Sequence, residues 1–170
     1  MTRLFLYLSL LSEALNRICK TIASTGIVVM LVCILFQVMA RYIFNEPPAW
    51  TEELARYAMI WAGFTGATVA FKGRADPALF SANKLVRPWL RKSALWFEAG
   101  AVFLFWIPVL LAMPQFLILQ SQRASEALEI PNVAIVSVMP ASILIILLHM
   151  IVRLLPAHDP NPPYEPHQEA

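Results

Sequence analysis

Charge is scarce in this chain: of its 170 residues only 14% are charged, against roughly 25% in a soluble domain, while 59% are hydrophobic. With a mean hydropathy of +0.63, that excludes a stand-alone soluble fold and makes lipid the expected solvent. Cysteine is nearly absent too. Cys19 and Cys33 stand fourteen residues apart on what should be one helix. At ~1.5 Å per residue they are ~21 Å apart, too far for a disulfide, and no metal or redox site follows from them. Of the three histidines only His149 falls in an apolar segment, so the chain alone does not supply two axial histidines for a haem. The alternative of a respiratory-enzyme membrane anchor then requires a second ligand from a partner. Internal repeats and a polar pore face are both missing, which argues against a stand-alone transporter or channel. There is no soluble domain, no long linker and no constellation of catalytic groups. The chain is expected to be a single membrane domain over 1–170, with no enzymatic activity, no cofactor or metal of its own and no nucleic-acid partner.

What is present is apolar length. Residues 22–44, 54–71, 93–119 and 131–155 are apolar runs close to the ~20 residues that a helix needs to cross ~30 Å of hydrocarbon. The expected fold is an all-α membrane protein with four transmembrane helices. Ahead of the first run, Leu4, Leu8, Leu11, Leu15 and Ile18 recur at helical spacing, and Ser12, Glu13, Asn16 and Arg17 stand where a signal peptide would carry small residues. This predicts an amphipathic N-terminal helix at the membrane surface. Between runs two and three, Leu79, Ala82, Val86 and Trp89 share one face and Lys84, Arg87 and Arg91 another. A second amphipathic interfacial helix over 72–92, broken near Pro88, is expected there, with its three cations on anionic lipid headgroups; a solvated basic loop is the alternative. The tail 156–170, with five prolines, reads as disordered, and its His158 and His167 as solvated rather than metal-binding.

Basic residues set the expected orientation. With the N-terminus cytoplasmic, Arg3, Arg17, Lys20, Lys72, Arg74, Lys84, Arg87, Arg91, Lys92 and Arg153 lie inside, ten of the thirteen cations, and Arg41, Arg56 and Arg123 outside. That bias predicts both termini, and the tail, in the cytoplasm.

The densest polar and aromatic stretch runs Arg41-Tyr-Ile-Phe-Asn45-Glu-Pro-Pro-Ala-Trp50-Thr-Glu52-Glu53-Leu-Ala-Arg56-Tyr57, then Trp61 and Gly66-Ala67. Arg41 can snorkel to the interface, Pro47-Pro48 turns the chain, and Trp50 suits the interfacial belt. Thr51 can cap the second helix, with Glu52 and Glu53 against its positive end. Arg56, four residues after Glu52 and three after Glu53, is placed for an ion pair. A compact knot of Arg41, Glu52, Glu53 and Arg56 is expected, serving either as a well-anchored hairpin or as an interface with another protein. Gln37, one turn before Arg41, and the small residues Ala62, Gly66 and Ala70 beside Gly63 and Ala67 favour protein over lipid against these faces. Farther along, Pro131 suits the first turn of the last helix, Pro140 should bend it, and Pro108 and Pro114 should bend the third. Glu98 stands seven residues past Arg91, consistent with an interfacial pair or with a polar contact to a partner.

The run from Arg41 to Ala67 resembles the hallmark hairpin of the DctQ-type small membrane subunit of tripartite ATP-independent periplasmic (TRAP) transporters: Arg41, Phe44 and Asn45, then Trp50-Thr51-Glu52-Glu53, Arg56-Tyr57, Trp61 and Gly66-Ala67. Ile130-Pro131 and Met139-Pro140 are similar to the start of that family's last span. The resemblance implies a small scaffold subunit in the bacterial inner membrane, paired with a large DctM-type elevator subunit and served by a periplasmic solute-binding protein. It implies sodium-coupled symport of an organic acid, with the sodium and substrate sites in the large subunit. One departure is that residues 72–77, Lys-Gly-Arg-Ala-Asp-Pro, lack the histidine that members often carry there, so no role tied to it is transferred.

Overall fold

The computed structural model describes residues 2–43, 46, 48–73 and 88–155. Its elements are the helices α1 (Thr2–Ile43), α2 (Ala49–Gly73), α3 (Pro88–Ser121), α4 (Asn132–Val136) and α5 (Val138–Leu154). Asn45, Lys84, Arg87, the side chain of Arg91 and the tail 156–170 lie outside the described residues. Of the interfacial helix expected over 72–92, residues 72–73 close α2 and residues 88–92 open α3; the remainder also lies outside.

The N-terminal surface helix and the first span are not separate elements. α1 runs unbroken for 42 residues, ~63 Å at 1.5 Å per residue. The physical reason is that polar side chains do not stop a helix. The first proline is Pro47, and the lone glycine inside α1, Gly26, costs only about 1 kcal/mol. The polar cluster that suggested a boundary is accommodated within the helix: Ser12 is buried and Asn16 half-buried, while Glu13 and Arg17 point to the surface.

α1 carries a seam of small side chains. Ser12, Cys19, Cys33 and Ala40 are buried, and Gly26 completes a spacing of seven, the repeat that keeps one stripe of a helix facing a partner. That partner is chiefly α2, which folds back after Pro48 and turns Thr51, Ala55, Thr65 and Thr68 inward. At the closest approach, a Cβ built on Gly26 would lie 3.0 Å from both the Ala58 carbonyl oxygen and the Ala62 Cβ. The stripe expected to receive a foreign helix is therefore largely occupied from within the chain. Ala62 meets Gly26, and Gly66 faces Ala23 at 4.0 Å, whereas Gly63 faces open space.

α5 completes a three-helix core with α1 and α2, burying Ile143, Ile146, Leu147 and Met150. α3 packs only on α4 and α5 among the described helices, and it continues through Pro108 and Pro114. Pro131 stands as the cap residue just before α4 rather than in its first turn. Instead of the expected bend at Pro140, the last helix is divided at Ser137, because Pro140 has no N–H to offer the Val136 carbonyl; the N–H of Ser137 still donates to the Val133 carbonyl at 3.0 Å.

Among the described residues, three segments are long and apolar enough to cross a membrane: Leu6–Ile43, Ser93–Ser121 and Asn132–Leu154. The expected fourth, at 54–71, is not among them. α2 has the length, 25 residues, but Arg56, Lys72 and its Gly, Ala and Thr content lower its apolarity. Its least apolar buried residues satisfy themselves: Thr65 Oγ1 donates to the Trp61 carbonyl at 2.6 Å and Thr68 Oγ1 to the Thr65 carbonyl at 2.7 Å.

Candidate functional site

The hairpin end of the bundle collects the residues singled out between α1 and α2. α2 begins at Ala49, so Thr51 lies in its first turn rather than at its cap. It is 1% exposed, and its hydroxyl donates to the Pro48 carbonyl at 2.7 Å, tying the turn to the helix. Trp50 packs against Phe36 of α1, ring centroids 6.2 Å apart. Glu52 and Arg56 form the ion pair that their spacing favours, at 2.9 Å and on the surface.

The four-residue knot does not form. Arg41 is exposed and no carboxylate among the described residues pairs with it. Glu53 turns the other way, since adjacent helical residues point ~100° apart. Its carboxylate enters the loop between α3 and α4. There Oε2 accepts from the Ser125 hydroxyl and, at 3.1 Å each, from the backbone N–H groups of Ala127 and Leu128, while Oε1 accepts from the Glu126 N–H at 3.1 Å. Successive N–H groups converging on one carboxylate form an anion-binding nest. They hold the Glu53 carboxyl below the usual carboxylate range, the Ser125 hydroxyl contributing most and partial desolvation opposing it.

The loop itself is a small hairpin. Ala124 pairs antiparallel with Pro131, through Ser125 N–H to the Ile130 carbonyl and Asn132 N–H to the Arg123 carbonyl, both 2.9 Å. Glu129 closes it with φ of 53°, a left-handed conformation that costs a non-glycine residue roughly 1–2 kcal/mol.

Gln37 is half-buried and its Nε2 has no partner. Trp61 is half-buried beside Thr65, and Gly66 lies on the α1 side of α2. Of these three, Gly66 is placed on the α1–α2 contact, a Cβ built on it lying 4.0 Å from the Ala23 Cβ.

A second polar group lies at the opposite end. Ser12 Oγ and His149 Nδ1 are 2.8 Å apart across α1 and α5, with His149 5% exposed and its Nε2 unpartnered. The expected Glu98–Arg91 pair involves a side chain outside the described residues; both Glu98 oxygens receive the guanidinium fork of Arg153 on α5, at 2.6 and 2.9 Å. A partner two turns away on its own helix is ~10.5 Å distant along the axis, whereas α5 runs alongside. Ser125, Ser12 and Arg153 were not marked as site residues by the sequence, because contacts spanning 55 to 137 positions leave no local pattern. Both thiols are buried and unpaired, and no cluster of three metal-ligating side chains occurs among the described residues.

Comparison with known proteins gives this arrangement a family context. The family model for tripartite ATP-independent periplasmic transporters, DctQ component, matches residues 30–157, about three-quarters of the chain, including the α1–α2 turn, the nest and the Glu98–Arg153 pair. A Haemophilus influenzae protein provisionally described as a TRAP transporter small permease protein is 33% identical over 61 residues, 36% of this chain and 38% of that relative. The chain thus aligns with well under half the length of that relative. No solved structure matches the chain.

Proposed function

The chain belongs to the DctQ component family of the tripartite ATP-independent periplasmic transporters, and from that premise we propose that it is the small scaffold subunit of such a transporter. In this reading it supports a large DctM-type subunit in the sodium-coupled uptake of an organic acid delivered by a periplasmic binding protein. The observation that carries the scaffold role is where the chain spends its acidic groups. Glu53 is taken up by the nest and Glu98 by Arg153, and the other carboxylates among the described residues lie on the surface. No unpaired buried acid remains among them for a sodium ion, and a transport site near the bilayer midplane needs such groups or broken helices lining a cavity. The haem-anchor alternative would need a second axial ligand from a partner, because His149 is the only histidine among the described residues.

In this proposal α2 crosses the membrane as a fourth span, its polar flank sheltered by α1 and α5, and both termini face the cytoplasm as the basic residues require. Lys84, Arg87 and Arg91 rest on anionic headgroups, each gaining ~1 kcal/mol. The exposed Arg41 and the Glu52–Arg56 pair face the partner proteins, while Glu53 works within the chain. Reconstitution tests the proposal. Liposomes holding this chain alone should show no uptake, and a sodium gradient should drive organic-acid uptake only when the large subunit and the binding protein are added. Uptake by this chain alone would overturn it.

A further inference from the structure

Helix α3 is attached to the rest of the molecule unevenly. None of its Cα atoms lies within 8 Å of one in α1 or α2 among the described residues, and two polar fastenings hold it: Glu98–Arg153, about three turns into the helix, and the Glu53 nest just beyond its C-terminal end. The loop between α3 and α4 has few other supports. Residues 126, 127, 129 and 130 are exposed, two backbone hydrogen bonds close the hairpin, and Glu129 holds a left-handed backbone.

One carboxylate therefore answers three consecutive N–H groups, of which only that of Leu128 has a second acceptor within the hairpin, Ser125 Oγ at 3.2 Å, and it answers them from a different helix, 73 to 75 positions away in the chain. We propose that Glu53 is a positioning residue that latches the 124–131 hairpin onto α2 through its ionised carboxylate, so that the exposed surface of that hairpin is ordered only while Glu53 is charged. Glu53 accepts four hydrogen bonds, all from the hairpin, three on Oε2 and one on Oε1. Its effect on anything docking at this end passes through the hairpin, which presents Glu126 and Glu129.

The chemistry requires the anion. A carboxylate offers acceptors on both oxygens, whereas a protonated acid or a glutamine amide places a donor on one of them, facing another donor. The charged groups around the latch are Glu52 and Arg56 on α2 and Arg123, Glu126 and Glu129 on the loop. Glu52 and Arg56 are engaged with each other. None of the others has an ion pair among the described residues, so none replaces Glu53 as acceptor. The direction of the pH effect follows. The carboxyl lies below its ordinary range when latched, so its stabilising contribution is complete above the ordinary carboxylate pKa and is lost as pH falls through the lowered value.

Hydrogen exchange on the full chain in lipid nanodiscs, corrected for the intrinsic pH dependence of exchange, reads the latch directly. Glu53→Gln should lower the protection of amides 126–128 by at least tenfold without changing that of α5, and Glu52→Gln should leave them unchanged. Ser125→Ala, which removes one of four donors, should give a smaller loss. The wild-type chain, which needs no mutant to fold, should keep this protection from pH 8 to 6 and lose it on acidification below the ordinary carboxylate range. Protection in Glu53→Gln equal to wild type, equal losses in Glu52→Gln, or wild-type protection that persists through acidification would each overturn the proposal. None of these readouts requires transport, so a failure of the latch is distinguishable from a failure of the scaffold reading.

Discussion

Single side chains in this bundle matter in proportion to how completely they are enclosed. Ser12 and His149 form a neutral hydrogen bond between buried groups, and the His149 Nε2 already has no partner. Removing one member leaves a second buried polar atom unpaired, which costs about 1–3 kcal/mol, whereas replacing both by apolar groups of similar shape can come close to neutral. Ser12→Ala should therefore destabilise the protein by about that amount in mixed-micelle unfolding. The double change with His149→Leu should cost less than the sum of the two single changes. Glu52 and Arg56 are the contrasting case: both are solvent-exposed, and such pairs contribute about 0–1 kcal/mol. Their spacing made the pair predictable, and the same exposure that makes it weak leaves it free to meet a partner. Glu53 stands next to Glu52 in sequence and differs from it in everything that tertiary structure decides.

Helices here are defined by what interrupts them and by what they can approach. α1 continues for 42 residues because polar residues do not stop a helix, and α3 continues through Pro108 and Pro114, whereas α4 and α5 are divided at Ser137, where Pro140 offers the Val136 carbonyl no N–H. The approach of α1 to α2 rests on Gly26, whose added Cβ would stand 3.0 Å from backbone as well as from a side chain. Gly26→Val should lose about 1–3 kcal/mol through overpacking. Gly63, with nothing within 4 Å of its Cβ position, should tolerate Gly63→Ala or gain up to about 1 kcal/mol in helix propensity. Thermal unfolding of the two variants under identical lipid conditions checks the contrast. If both lose stability equally, the close contact at Gly26 is not what sets the spacing of the helices.

At the scale of the molecule, three segments among the described residues qualify as spans on length and composition, and the position of α2 relative to the membrane depends on its neighbours. Its buried threonines and small residues would be poor against lipid and are acceptable against α1 and α5. If α2 crosses, Glu46→Cys and Gly73→Cys, placed just before and at the end of α2, should react with a membrane-impermeant maleimide from opposite sides. The two native thiols are buried and should contribute little background. Labelling of both positions from one side would place α2 on the surface and remove the fourth crossing. Much of this was legible in the sequence: the all-helical membrane class from composition, the interruption near Pro140 from a missing donor, the Glu52–Arg56 pair from spacing, and the family resemblance from the run between Arg41 and Ala67. Each of these is a local property, carried by composition or by residues within a few turns of one another. The sequence could not tell which way Glu53 faces, that Ser125 and three backbone N–H groups meet it, that Arg153 takes both oxygens of Glu98, or that Ser12 reaches His149. Those pairings join positions brought together only when the helices pack, so tertiary structure alone decided them, because a side chain takes the partner nearest in space and only helical neighbours can be counted along the chain.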